Sequence, residues 1–298
     1  TGIYHLDVAL ALQAVSGVEV MVANPRAVHD FAGALMTRGK TDASDAEVLL
    51  AYAERMPWRS WQAPSAACFE LRTLCRHMLG VRQQLGSDRT RLARADATST
   101  ISAWIREDIV EGIDQLKRRL EKLQSKALEL VAGNAELQRK LDLLCTIPGI
   151  AATSGVQVLS ELCVLPPDMG PRQWVAHAGL DPRHHESGTS IKKAVRIIKA
   201  GNKYLRRALF MPALTALRHD PHVAAFFEGL VGRGKARLQG VVAVMRKLLH
   251  AIWGMLKSST VWEGRRFYGG PIATSSPTAE EEAGSAVESA VRAAPSLE

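Results

Sequence analysis

Six residues, Ile113, Leu116, Leu120, Leu123, Ala127 and Leu130, recur at alternating steps of three and four, and Leu137, Leu141 and Leu144 resume the phase. A strand cannot present such a stripe, because its side chains change face at every residue; a helix lines it up on one side. Several heptads with charges between them predict a long helix burying its seam against another. The partner is either an antiparallel neighbour in the same chain or a second chain in a dimeric coiled coil. Residues 66–145 are therefore expected to form a helical coiled-coil linker, and the rest of the chain must be arranged on either side of it.

Residues 1–65 read as α/β. Tyr4 to Val15 has helical spacing, Gly17 breaks it, and Val18, Val20 and Val22 alternate before Asn24-Pro25, the pattern of a short strand entering a turn. Helices are predicted from about Arg26 to Met36 and from about Ser44 to Arg55. One strand makes no sheet, so the other strands are expected upstream of Thr1, and a chain that starts without Met reads as a fragment. Residues 146–268 are predicted to be mostly helical, with helices at Ala151–Cys163, Pro171–Ala178, Lys203–Leu217 and Gln239–Leu256. The Ile147-Pro148-Gly149-Ile150 corner at their head has the form of a helix-hairpin-helix turn. Residues 269–298, rich in Ala, Ser, Pro and Glu without periodicity, read as a disordered tail. The fold class expected is α/β followed by all-α.

Charge narrows the function. The chain carries a net +8 with a pI near 9.5, and the excess is concentrated. From Arg172 to Arg266 there are 18 Lys or Arg against 5 Asp or Glu. One-signed clustering of this kind points to a phosphate-binding face. The cations are spread over several helices, which argues against a membrane-surface stripe, and no apolar run is long enough to span a bilayer. Aromatic residues are only 5% of the chain, too few for a base-stacking platform. Cys68, Cys75, Cys145 and Cys163 form no C-x-x-C pair and read as small buried hydrophobes in a reducing cytoplasm. No secretory leader is visible.

Two stretches could carry chemistry. Asp42 and Asp45 open a predicted helix three residues apart, so their carboxylates share a face and suit a hard cation such as Mg²⁺ or Mn²⁺; helix capping accounts for the same residues. Ser187 lies in Glu186-Ser187-Gly188-Thr189-Ser190, a Gly-bearing loop after Arg183-His184-His185 and before Lys192, Lys193, Arg196 and Lys199. Cations of this density can steady a phosphate while a base or metal activates the hydroxyl; equally, the serine only touches a phosphate. Lys203, Arg206 and Arg207 extend the row of candidate phosphate clamps, with Arg246 and Lys247 as weaker ones. His77, His177, His219, His222 and His250 lack ligand spacing and read as structural, and Trp58 and Trp61 as packing residues.

Taken in order, T-G-I-Y-H, V-A-N-P-R, K-T-D-A-S-D-A, W-x-A-P with L-R-x-L, T-I-P-G-I, A-G-L-D-P-R…E-S-G, K-A-G-N-K-Y-L-R-R-A-L and M-R-K-L-L resemble the transposases of the insertion sequence 110 family, related to Piv-type DNA invertases. The resemblance implies a partial RuvC-like, RNase H-type domain at 1–65, the coiled-coil linker at 66–145 and a transposase domain at 146–268. It implies that Asp42 and Asp45 are the third and fourth of four acidic metal ligands, the first two lying upstream of Thr1. It implies that Ser187 is the nucleophile, that Mg²⁺ (or Mn²⁺) is the cofactor, and that DNA and a structured bridge RNA are partners. The activity implied is RNA-guided DNA cutting and rejoining through a phosphoserine, by a cytoplasmic, nucleoid-associated dimer or tetramer joined at the coiled coil. The alternatives are a catalytically inactive nucleic-acid-binding remnant and a RuvC-like metal-dependent nuclease.

Overall fold

The computed structural model describes residues 4–36, 41–187, 191–198 and 200–270, with the backbone alone for Tyr4, 183–187 and 191–196. Lys199 and nearly all of the expected tail lie outside the described residues. The chain divides into two compact units, Thr1–Pro64 and Ser65–Glu298.

The first unit holds three helices, α1 (Tyr4–Gln13), α2 (Pro25–Ala34) and α3 (Asp42–Arg55). Asn24 caps α2 by accepting from the Arg26 N–H, with Pro25 at the first helical position, where its missing N–H costs nothing. The alternation of Val18, Val20 and Val22 is real in burial, since Val20 is buried and its two neighbours are exposed. The segment is extended, but no strand forms among the described residues of this unit. Among the described residues it makes one long-range backbone bond, from the Trp61 N–H to the Val20 carbonyl at 2.7 Å. A ladder needs a neighbour along its whole length, and a single bond does not supply one. The described part of this unit is thus helical, where α/β had been expected. Trp58 is half exposed and donates to Glu19 at 3.1 Å, so it is a rim residue more than a packing one.

The second unit is built on a long antiparallel hairpin, α4 (Ala66–Asp96) and α5 (Ala103–Ala132). Ser65 and Ser102 cap the two helices, and an Arg106–Asp96 ion pair of 2.6 Å ties the turn. The predicted stripe meets its partner inside the chain: Ile109, Ile113 and Leu116 pack on Val81, Leu85 and Ala95. Nearer its open end the hairpin joins the main core. There Leu71, Met78, Ala127 and Val131 pack with α6 (Ala135–Cys145), α7 (Ala152–Leu162), α8 (Pro171–His177), α9 (Lys203–His219), α10 (Pro221–Val231) and α11 (Arg237–Ser258). A last turn, α12 (Gly264–Phe267), closes on Phe226. The corner at Ile147–Ile150 is seated on α9. Gly149 has φ +94°, and a Cβ there would fall 2.7 Å from Thr215 Cβ and 2.9 Å from the Pro212 carbonyl.

Two strands interrupt the helices, β1 (Pro182–Ser187) and β2 (Ile191–Ile197), paired as an antiparallel hairpin. Glu186 and Ser187, expected in a Gly-bearing loop over 186–190, are therefore strand, and 188–190 lie outside the described residues. Of the cysteines, Cys68 and Cys75 are buried, Cys163 is partly buried, and Cys145 is exposed at the end of α6, where the expectation was burial. Among the described residues no helix is long and apolar enough to cross a membrane.

Candidate functional site

Asp42 and Asp45 both sit in the first turn of α3, exposed, one turn apart. Capping does not occupy them. Thr41 accepts from the Ser44 N–H at 3.1 Å and Ser44 accepts from the Thr41 N–H at 3.0 Å, a reciprocal box between two hydroxyls. The helix start still favours negative charge, so two acids are tolerated side by side. Among the described residues neither forms an ion pair, and no group of three or more His, Cys, Asp or Glu could enclose a metal. The pair fits a hard divalent cation in kind, but not in number.

Ser187 ends β1, paired with Ile191 at the start of β2. In the same register Glu186 pairs with Lys192, His185 with Lys193 and Arg183 with Arg196, with an irregularity between Arg183 and His185. The hairpin thus brings the backbone of Lys192 opposite Glu186 and that of Lys193 opposite His185, next to Ser187.

What fixes this arm is at its root. The Asn202 N–H donates to the His177 carbonyl at 2.7 Å, and the Ile198 N–H donates to the Asp181 carbonyl at 3.0 Å, closing the segment that carries both strands. Gly201, at φ +144°, makes the first bond possible: a Cβ would lie 2.4 Å from the His177 carbonyl oxygen. Asn202 then caps α9, its Oδ1 accepting from Tyr204 and Leu205 at 3.0 and 3.1 Å. Its Nδ2 donates to Glu161 at 2.7 Å. Glu161 is only 2% exposed and also receives Arg76, Nε and Nη2 each at 2.8 Å. The Arg76 guanidinium lies over the Tyr204 ring, 4.3 Å from its centroid. Burial works against the Arg76 charge, but the hydrogen bonds and charge of Glu161 outweigh it and hold the group above its ordinary pKa. His177 is pushed below the ordinary imidazole range, mainly by burial. Three elements, α4, α7 and the start of α9, are joined through one buried carboxylate, and Asn202 ties α8 in through the His177 carbonyl.

Sequence reasoning missed Glu161, Asn202 and Arg76. Asn202 had a readable signal, an Asn after Gly at a helix start. Glu161 had a weaker one, an acid inside the apolar V-L-S-E-L-C run of α7, which must find a partner when buried. Arg76 had none.

The predicted clamps divide. Lys203 is exposed at the start of α9, and Arg207 is exposed one turn on. Arg206, by contrast, is 3% exposed and donates from Nη1 to the Ala178 carbonyl at 2.8 Å. It braces the hairpin root and is not positioned as a phosphate clamp, because α9 turns that residue inward, as a helical face does every three to four residues. Lys247 also departs from expectation: its ammonium is held 4.3 Å from the Phe226 centroid, with Phe267 and Tyr268 at 5.1 and 5.3 Å. Arg246 reaches Asp181 at 4.0 Å.

Comparison with known proteins matches this layout from both ends. A transposase family model, of the DEDD type associated with insertion sequence IS110, matches residues 1–95. A second, described as the transposase IS116/IS110/IS902 family, matches residues 141–228, which include the hairpin and its root. The pilin gene-inverting protein of Moraxella lacunata is 31% identical over 252 residues, covering 83% of this chain and 75% of that protein. The chain belongs to the IS110 family of transposases. As a member of this family it belongs among DNA-recombining proteins. An uncharacterized 43.6 kDa protein of insertion element IS110 from Streptomyces coelicolor is 30% identical over 127 residues, 41% of this family member and 30% of that protein.

Proposed function

We propose that this chain is the strand-exchanging part of a DNA recombinase that works through Ser187. The hydroxyl oxygen attacks a DNA phosphodiester, a P–O bond to the serine forms, and the P–O bond to one DNA end breaks. The leaving oxygen departs as a hydroxyl after taking up a proton. Attack by the hydroxyl of a second DNA end reverses the step and frees the serine. One phosphodiester is exchanged for another, so no energy source is needed.

The observation that carries this reading is the position of Ser187 on a hairpin whose root is clamped by Asn202 and the Arg76–Glu161 pair. A nucleophile must be held within a fraction of an ångström of its line of attack, and a clamped arm supplies that where a free loop does not. Lys192, Lys193, Arg196 and Lys199 would steady the phosphate, with Lys203 and Arg207 from α9. A divalent cation, Mg²⁺ or Mn²⁺, would be held by Asp42 and Asp45 with further acids and would supply charge stabilisation to a bound phosphodiester. RuvC-like architecture in the first unit, a structured guide RNA, oligomers formed through the coiled coil, and action in the cytoplasm at the nucleoid are carried over from the family resemblance.

The test is a covalent adduct. Incubated with its DNA substrate and denatured, the wild-type protein should carry labelled DNA on serine, and Ser187→Ala should carry none. Cleavage retained by Ser187→Ala would assign the chemistry to metal-activated water instead.

A further inference from the structure

The cations counted from the sequence lie after residue 171, yet the linker helix α4 adds a second set. Arg72, Arg76 and Arg82 lie along α4, all partly buried. Arg76, Glu161, Tyr204 and Arg207 line one narrow cleft between α4, α7 and α9. Glu161 is the one acid among the described residues lining it, and Arg76 and Asn202 already occupy it. Arg72 lies over the Phe69 ring, 5.3 Å from its centroid, and Arg82 donates to the neutral Gln157 amide oxygen. Neither has a carboxylate within ion-pair distance among the described residues. Burial, and then the neighbouring Arg76, lower the pKa of Arg72; burial lowers that of Arg82, with Arg207 adding to it.

A fold gains nothing by half-burying Arg72 and Arg82 without a carboxylate of their own, and the nearby Glu161 is already taken by Arg76. An incoming anion reverses that balance, since each planar fork can grip two phosphate oxygens. The cleft also abuts the hairpin root, because Glu161 and Tyr204 belong to both.

We propose that the face of α4 flanking this cleft holds the sugar-phosphate backbone of duplex DNA, with Arg72 and Arg82, one turn before and one turn after the α4 residues that line the cleft, as phosphate ligands. The proposal rests on the DNA-recombinase reading for its ligand. It extends the nucleic-acid face onto the linker hairpin, so that DNA seated on α4 is led toward the arm bearing Ser187.

The experiment is fluorescence anisotropy of the full chain with a random-sequence duplex and, separately, a structured RNA hairpin, over a salt series. Arg72→Gln/Arg82→Gln should bind the duplex about tenfold more weakly, with the log–log salt slope shallower by about 2, one unit per lost phosphate contact. Arg72→Lys/Arg82→Lys should keep the slope while losing part of the affinity. Arg89→Gln/Arg94→Gln, the same charge change on exposed α4 residues, should change both much less. Folding of each variant is checked by circular dichroism and its melting temperature. Wild-type duplex affinity in the folded cleft variant overturns the proposal, as does a loss confined to RNA or an equal loss in the Arg89/Arg94 variant. Adduct formation at Ser187 is scored independently. A wild-type protein that forms no adduct but shows the cleft-dependent slope would reject the serine chemistry and keep the cleft.

Discussion

Arg76 and Glu161 meet fork to fork, through two hydrogen bonds of 2.8 Å, across 85 residues of sequence. An isolated buried carboxylate would be expensive, and an ion pair taken out of water barely recovers its desolvation cost. This one is completed by a third donor, Asn202 Nδ2, and the guanidinium remains a third exposed. Its value lies in geometry: it fixes where α4, α7 and α9 cross, and with them the root of the β-hairpin.

Glu161→Gln should destabilise the second unit by about 2 kcal/mol, because Arg76 and Asn202 keep one acceptor where they had two. Arg76→Met should cost more than neutralising the carboxylate, since methionine fills the space but leaves the buried Glu161 charge with Asn202 alone. Urea unfolding of both variants measures the difference; equal wild-type midpoints would show that the pair contributes nothing.

Gly201→Ala should unseat the hairpin root. A Cβ 2.4 Å from a backbone oxygen cannot be relieved by rotating a side chain, and φ +144° is itself strained for alanine. A loss of at least about 2 kcal/mol and early hydrogen exchange at the Asn202 amide are expected. Gly86→Ala, a helical glycine with open space around it, should instead be neutral or slightly stabilising.

Stability should fall as pH drops below about 6.5, the ordinary histidine value. His177 is lowered in the fold by burial, with Arg76 and Arg72 acting in the same sense and Glu161 opposing. The unfolded chain therefore binds its proton first, and the stabilisation present above that pH is lost on acidification. His250, lowered by burial, Arg246 and Arg172, adds with the same sign. In His177→Gln the slope of unfolding free energy against pH between 6.5 and 5.5 should be shallower; an unchanged slope would assign it elsewhere.

Asp42→Ala and Asp45→Ala should separate activity from folding. Both side chains are exposed and Thr41 and Ser44 keep the cap, so stability should move by no more than about 0.5 kcal/mol. DNA cleavage should nevertheless be abolished in each. Normal rearrangement by the double variant would remove these aspartates from the reaction.

Most helices were legible because their cause is local. The stripe from Ile113 to Leu130, the Asn24-Pro25 start of α2 and the apolar run of α11 are written in periodicity and caps, which depend on neighbours a few residues away. The E-S-G serine and the D-x-x-D pair were legible as residue types at a spacing. The β-hairpin was not, because strand pairing between 182–187 and 191–197 is decided by what anchors its two ends. The partner of the 113–130 stripe was equally open, since a heptad seam serves a neighbour in the same chain or in another; in this fold α4 fills it. Arg206 and Lys247 read like their exposed neighbours until α9 and α11 were packed, when one turned to a backbone carbonyl and the other into an aromatic cage. Spacing fixes which face a residue shares, whereas which face goes inward, and which distant acid meets which base, follows only from how the helices bury one another.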